Sequence, residues 1–117
     1  MKYMLLIYSN PQEQAKMTPE DIQAEMNAYW GFEEEVRKAG VHLAGEGLHP
    51  INTATTVRVR EGKTVTTDGP FAETHEHLGG FYLIDVNNLD EAIQWAAKIP
   101  GSASGSIEVR PVMNFEM

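Results

Sequence analysis

The densest group of carboxylates, imidazoles and turn-forming residues in this chain lies between positions 66 and 80. Here Asp68 precedes Gly69 and Pro70, and this order predicts a stiff turn, because glycine accepts a positive φ and proline fixes its own φ. A carboxylate on a rigid loop beside an apolar sheet face can act as a general acid or base. Asp68 is therefore the first candidate catalytic residue. The alternative is structural, with the carboxylate accepting backbone N–H groups of the turn.

Two further residues are candidate catalytic partners of Asp68. Glu46 lies in the segment Gly-Glu-Gly-Leu-His-Pro at a predicted strand end, and two close carboxyl groups would raise the pKa of one of them. The alternative for Glu46 is an exposed strand end. His75 is the candidate imidazole of the Asp68 loop. His49, three residues after Glu46, and Phe71, three after Asp68, are candidate substrate-binding residues.

Two side chains outside these loops are also candidates for substrate binding. Tyr29, together with Trp30, could stack on a flat ligand, although aromatic residues at helical spacing also form cores and dimer contacts. Arg110, near the C-terminal end, could bind a carboxylate through two parallel hydrogen bonds.

A metal site is a separate alternative. Residues two apart project to the same side of an extended chain, so Glu73, His75 and His77 could present one carboxylate and two imidazoles to a divalent ion. Histidines two apart are not a defined metal signature, and exposed loop histidines are the competing interpretation. No metal is assigned, and no cofactor is predicted. The sequence has none of the phosphate-loop, dinucleotide-binding, serine-hydrolase or H-E-x-x-H motifs.

Composition narrows the class of protein. The 117 residues predict one domain over residues 1–117. A net charge of −8 disfavours partners such as nucleic acid or an anionic membrane surface, since both need a basic surface, and it also suits plain solubility. With no cysteine, disulfides and thiolate metal sites are excluded. The short apolar run at the start suits neither a signal peptide nor a membrane span, which predicts a cytoplasmic protein.

The elements that position these residues can be predicted from their patterns. Residues 3–8 are apolar at every position, which predicts a central strand. Thr18 and Pro19 predict a helix start, and Gly40 its end. The predicted apolar face of this helix is formed by residues at helical spacing: Ile22, Met26, Tyr29, Phe32 or Glu33, and Val36.

The rest of the chain is predicted to form five strands and one more helix. Strands are predicted over residues 41–48, 55–60, 64–67, 81–86 and 107–112, with a hairpin turn at 61–62 and a second central strand at 81–86. Asn88 predicts the start of the second helix, which ends before Pro100. The predicted buried face of that helix contains Leu89, Ala92, Ile93 and Ala96.

This order predicts an α+β fold with an antiparallel sheet, two helices on one sheet face and an added β-hairpin. Two helices leave the other face of the two apolar central strands uncovered. An apolar face in water would promote aggregation, so we expect a homodimer, a ligand cavity or both at that face.

The segments T-D-G-P-F-A-E-T and L-G-G-F-Y-L-I resemble the signature of the DGPF family within the YCII-related group. The opening M-K-Y-M-L-L-I-Y, the segment A-G-V-H-L-A-G-E-G-L-H-P and the ending S-I-E-V-R-P-V extend the resemblance over nearly the whole chain. It implies a ferredoxin-like sheet paired with a second copy as a dimeric α+β barrel. In related YCII-type proteins a His–Asp pair has been proposed as catalytic, and the family as a whole has no settled activity.

The resemblance also divides the candidate residues into those that match the family pattern and those that depart from it. Asp68, Glu46 and Arg110 stand in matching positions, whereas His49 does not, and His75 replaces a Lys that the family usually has. Three hypotheses follow. The first is a small cofactor-independent enzyme that moves protons on a small organic molecule near Asp68. The second is a metabolite-binding or regulatory module, and the third is the metal site.

Overall fold

The computed structural model describes residues 1–115, which form six strands and three α-helices. In chain order these are β1 Lys2–Ser9, α1 Pro11–Ala15, α2 Pro19–Lys38, β2 His42–Gly47, β3 Thr55–Arg60, β4 Lys63–Asp68, β5 His77–Asp85, α3 Leu89–Lys98 and β6 Ser106–Pro111. Short 3-10 turns cover residues 51–53 and 100–103. Mixed helices and antiparallel strands confirm the α+β class.

Four strands form one antiparallel sheet in the order β2-β5-β1-β6, and within residues 1–115 β3 pairs only with β4. The two strands predicted to be central, β1 and β5, are the two middle strands. Their apolar character on both sides is the reason, because a middle strand needs cover on both faces. No helix within residues 1–115 has the length and apolar character needed to cross a membrane.

Local signals define the long helix α2. The Thr18 hydroxyl accepts the backbone N–H of Asp21 at 3.1 Å, and the Asp21 carboxylate accepts the backbone N–H of Thr18 at 3.0 Å. This capping box satisfies two donors that the helix start would otherwise leave free. After the helix, Gly40 takes φ 77°, a conformation that glycine adopts without strain. Both ends therefore lie where the sequence predicts them.

One core joins the sheet to α2 and α3. Alternate residues of the central strands point to the helices, and register pairs Tyr3 with Ile84 and Leu5 with Tyr82. The buried members are Tyr3, Leu5, Phe32, Val36, Tyr82, Ile84, Val86, Ala92, Ala96 and Ile99. Both predicted helices thus pack on the same face of the sheet, as expected.

The predicted apolar faces of the helices are partly wrong. Ile22 and Met26 on α2 and Leu89 and Ile93 on α3 are all 45–49% exposed. On α2 the reason is local: an open cleft, not the core, lies between the first half of the helix and the sheet. On α3 the buried side is formed by Ala92 and Ala96 with Trp95 partly buried, so Ile93 points away.

Two boundaries also differ from the sequence predictions. The break predicted at Asn10 and Pro11 is followed by helix α1, because the Asn10 side chain accepts the backbone N–H of Gln12 at 2.9 Å and proline suits the first helical position. Strand β5 begins at His77, four residues before the predicted start, since His77 pairs with Ser9 across the sheet.

The added hairpin is confirmed. Its turn is formed by Glu61 at φ 51° and Gly62 at φ 74°, and two positive φ values match the twist of a two-residue hairpin turn. At its other end the Gly69 N–H donates to the Ala54 carbonyl at 2.7 Å, and the Thr56 hydroxyl donates to the Gly69 carbonyl at 2.8 Å. These bonds hold the turn after Asp68.

The sheet face opposite α2 and α3 carries a patch of half-buried apolar side chains, which we term the open face. It is formed by Met4, Leu6, Phe81 and Leu83, which are paired with one another across β1 and β5. Within residues 1–115 neither helix α2 nor helix α3 contributes to this side, because their buried residues pack with the other set of alternate strand residues.

The contrast between two isoleucines tests this core. Ile84→Ala removes a fully buried side chain and is expected to lower the free energy of unfolding by about 2–5 kcal/mol. The same change at half-exposed Ile93 is expected to cost within about 1 kcal/mol. Urea denaturation followed by circular dichroism measures both, and equal losses would contradict the assigned core.

Candidate functional site

A cleft of about 720 Å³ lies between the first half of α2 and the adjoining end of the sheet. Helix α1 and the 3-10 turn at 100–103 close its sides. We call it the cleft. The residues that line it are Ile7, Ser9, Asn10, Glu13, Gln14, Met17, Asp21, Glu25, Tyr29, Glu33, Gly45, Glu46, Gly47, Gly79, Gly80, Phe81, Tyr82, Gly101 and Ser104.

Glycines make the sheet side of the cleft smooth and let its walls approach closely. A Cβ on Gly45 would lie 2.6 Å from the Tyr82 ring, and one on Gly80 would lie 2.7 Å from the Glu46 carbonyl oxygen. A Cβ on Gly101 would lie 2.8 Å from the Tyr29 hydroxyl oxygen. Such distances exclude larger residues without movement of the neighbours, so the glycines fix the positions of both tyrosines.

Tyr82 forms the inner wall of the cleft. Its ring packs against Phe32 with centroids 5.0 Å apart and against His42 at 6.1 Å. Burial raises the pKa of its phenol strongly, and the negative charge and hydrogen bond of Glu33 raise this pKa further. The Tyr82 hydroxyl therefore stays protonated at physiological pH and can donate a hydrogen bond toward the neighbouring Glu33 carboxylate.

Tyr29 lies one turn before Glu33 on α2 and faces the same space. Burial raises the pKa of the Tyr29 phenol, and the charge of Glu25 adds to the rise, while a hydrogen bond with the Gly101 backbone opposes it. The phenol stays protonated and can donate to a bound molecule. Since the charge of Glu25 acts on Tyr29, a donor and a potential proton acceptor lie near each other.

The side chains of the cleft wall are acidic. Four carboxylates project from α1 and α2, and no Lys or Arg of the described chain is among the lining residues. Glu13 pairs with Lys16 at 3.8 Å and Glu33 with Arg37 at 2.9 Å, while Asp21 caps its helix. Within residues 1–115, Glu25 has no ion pair, so it is the least compensated carboxylate here.

Of the predicted site residues, Tyr29 is the one whose side chain the structure places in the cleft. Glu46 also borders it, but Glu46 pairs with Phe81 across the sheet, and this register directs its side chain to the open face. Arg110 lies on strand β6 at the opposite edge of the sheet, and its pairing with Met4 directs its side chain to the open face. Its guanidinium nitrogen lies 3.9 Å from a carboxylate oxygen of Glu108. Glu46 and Arg110 thus flank the same apolar patch from two sides.

The remaining predicted residues lie away from the cleft and are exposed. Asp68 ends strand β4, and His49, Phe71 and His75 lie in loops, with Phe71 78% exposed. Within residues 1–115 no three His, Cys, Asp or Glu side chains come close enough to hold a metal ion, so a single chain does not gather Glu73, His75 and His77 into such a group. Asp68 and His75 therefore stay predictions from the sequence.

Sequence reasoning missed Glu25 and gave Glu33 no chemical role. A signal for both was present, because Asp21, Glu25, Tyr29 and Glu33 recur at intervals of four residues and so share one side of a helix. That stripe overlaps the predicted apolar face at Tyr29 and Glu33, and all four of its residues line the cleft.

A glycine pair tests how the cleft is built. Gly45→Ala places a methyl group against the ring of Tyr82, which is wedged between two other rings, and is expected to lower the free energy of unfolding by about 1–3 kcal/mol. Gly31→Ala is the control: its Cβ meets nothing within 4 Å on the α2 surface, and it is expected to stabilise by about 0.5–1 kcal/mol. Chemical denaturation would contradict the close approach if both changes stabilised.

The neutral state of Tyr82 predicts a pH dependence. The unfolded chain releases this phenolic proton above about pH 10, whereas the folded chain retains it, so stability is full below that pH and falls as pH rises through the raised pKa. Tyr82→Phe is expected to have a shallower fall of unfolding free energy above about pH 10 than the wild type. Tyr8→Phe, outside the cleft, controls for loss of a hydroxyl group, and parallel curves for wild type and Tyr82→Phe would contradict the assignment.

Comparison with known proteins points to one family. The model of the YCII-related domain matches residues 1–116. The chain is also 36% identical over 118 residues to the protein named "Uncharacterized protein R00369" of Rhizobium meliloti (strain 1021), covering 99% of this chain and 95% of that protein.

Proposed function

This chain belongs to the YCII-related family, and we propose that it binds a small organic molecule in the cleft and transfers a proton on it without a cofactor. The observation that carries this proposal is the pairing of a neutral phenol, Tyr29, with an uncompensated carboxylate, Glu25, in a cavity large enough for a small ligand. The acidic wall favours a neutral or positively charged molecule over an anion.

The proposed chemistry uses each residue for one role. The Glu25 carboxylate accepts a proton from a carbon next to a carbonyl group, and the electron pair moves to the carbonyl oxygen. Tyr29 donates a hydrogen bond to that oxygen, where negative charge develops. The Glu25 carboxyl group then returns the proton. Positioned acid–base groups of this kind contribute about 10²- to 10⁴-fold to a rate.

A second copy of the chain is the proposed cover of the open face. We propose a ferredoxin-like sheet that pairs face to face with its partner as a dimeric α+β barrel. Half-buried Met4, Leu6, Phe81 and Leu83 support this arrangement, because apolar patches of this kind usually mark contact surfaces. Glu46 and Arg110 would then border the interface. The cytoplasmic location predicted from the sequence stays a prediction.

Deuterium exchange tests the proposed reaction. A panel of small neutral and amine-bearing carbonyl compounds is incubated with the protein in D₂O, and deuterium uptake next to the carbonyl is followed by NMR. Wild-type protein is expected to accelerate uptake in at least one compound, and Tyr29→Phe and Glu25→Gln are expected to reduce that rate by about 10²-fold or more.

Matched variants complete this test. Tyr8→Phe and Glu34→Gln make the same chemical changes outside the cleft and should retain the wild-type rate. Asp68→Asn in the same assay tests Asp68, the first catalytic candidate from the sequence analysis. A compound that raises the melting temperature without exchange would favour a binding module instead. Exchange that survives both cleft variants would overturn the roles of Tyr29 and Glu25.

A further inference from the structure

The hairpin of residues 55–68, which we call the arm, extends away from the rest of the molecule. Every residue of β4 is exposed, and in β3 only Thr56 is not. The molecule measures 48 × 46 × 19 Å with a radius of gyration of 16.4 Å, whereas a compact chain of this length has about 13 Å. An isolated two-stranded hairpin is marginally stable in water, so the arm gains most if a second surface covers it.

One face of the arm is basic. Register places Arg58 opposite Val65 and Arg60 opposite Lys63, so these four side chains share a face. We call it the basic face. It contains three of the nine Lys and Arg residues of a chain with net charge −8. Such a concentration of positive charge in an acidic protein points to an acidic partner surface.

An apolar surface lies on α1 and α2, bordered by the acidic wall of the cleft. A groove of about 360 Å³ runs beside the cleft and shares Glu25 and Tyr29 with it. Its apolar side chains Ile22, Met26 and Trp30 are 49%, 45% and 59% exposed. We call this surface the groove. One carboxylate, Glu25, lies in its lining, and Glu13 lies in the adjoining cleft, so apolar and negatively charged groups are adjacent here, as Val65 and cationic side chains are on the basic face.

We propose that the arm of one chain docks with its basic face on the groove of a second copy. Val65 would pack on the exposed apolar side chains of the groove, and Arg58 and Arg60 would meet the carboxylates of Glu13 and Glu25. Arginine also stacks favourably on an aromatic ring such as that of Trp30. Because groove and cleft are continuous, the partner's arm would border the cleft and reduce its negative charge.

The geometry allows a reciprocal exchange. Six-residue strands give the arm a length of about 20 Å, comparable to the thickness of the molecule. In a two-fold dimer, each copy contributes one arm and one groove, so both arm–groove contacts close. The assembly stays a closed dimer when the open-face contact proposed above shares the same two-fold axis. This proposal concerns assembly and does not depend on the proton transfer proposed for the cleft.

Reversing the charges of the arm in one variant and of the groove in another tests the proposed arm–groove contact. One variant carries Arg58→Glu and Arg60→Glu in the arm, and the other carries Glu25→Lys in the groove with Glu13→Lys in the adjoining cleft; Asp21 is left intact because it caps α2. Each variant alone brings like charges together, so its dimer dissociation constant is expected to rise at least about tenfold in sedimentation experiments at low salt. In the mixed pair both arm–groove contacts join opposite charges, and a 1:1 dimer of near wild-type affinity is expected.

Controls keep the test decisive. Lys38→Glu with Lys98→Glu makes the same change of net charge on helix surfaces outside the groove and should dimerise as wild type. Arg58→Gln with Arg60→Gln replaces the arm variant if reversal disturbs folding, which circular dichroism reports. A monomeric wild type, unchanged dimerisation of the arm variant, or a mixed pair no tighter than the separate variants would each overturn the proposal.

Discussion

The position of the Tyr82 ring is the constraint on which the core and the cleft both depend. One side of the ring packs in the core against Phe32, and the His42 ring lies on another side. The charge of Glu33 on α2 helps to raise the pKa of the Tyr82 hydroxyl. The ring fits only because residue 45 on the neighbouring strand has no side chain. The same side chain therefore fixes the distance from the sheet to α2 and forms the inner wall of the cleft.

This arrangement has an energetic cost. Four glycines, Gly45, Gly47, Gly79 and Gly80, lie in neighbouring stretches of β2 and β5, and glycine within a strand costs about 0.5–1 kcal/mol relative to alanine. Burying phenols beside carboxylates gives no compensating charge pair. Gly45 and Gly80 cannot be replaced by larger residues unless neighbouring atoms move, so the arrangement retains this cost. The preserved opening keeps polar groups of α2 accessible from solvent, which is the usual compromise at a binding site.

Much of the fold follows from local signals. Pro19 after a Thr cap, Gly40 after the helix and the Glu61–Gly62 turn each define a boundary through their own backbone chemistry. Continuous apolar runs identified the two central strands. The exposed side of α2 could not be predicted in this way, because periodicity shows that a stripe is apolar but not how far the sheet beneath it extends. Ile22 fits the pattern, but the glycine-lined end of the sheet leaves it outside the core.

The site was harder to predict for a related reason. The Asp-Gly-Pro segment drew attention because turn residues and carboxylates are adjacent in sequence, whereas the cleft is assembled from α2, β2 and β5, which are distant in sequence. The four-residue spacing puts Glu25 and Tyr29 on one side of a helix, and the burial of Tyr29 together with the charge of Glu25 beside it then makes Glu25 a candidate.

The distribution of charge over the surface also constrains how this chain can be arranged in water. An acidic cleft wall repels a second acidic surface, while the basic face of the arm in the same chain lies away from the helices. A monomer would leave both charged surfaces and two apolar patches in water at once. The proposed association of two copies would lower the electrostatic repulsion and the apolar exposure together, so the features that destabilise the isolated chain are the ones that would favour such an assembly.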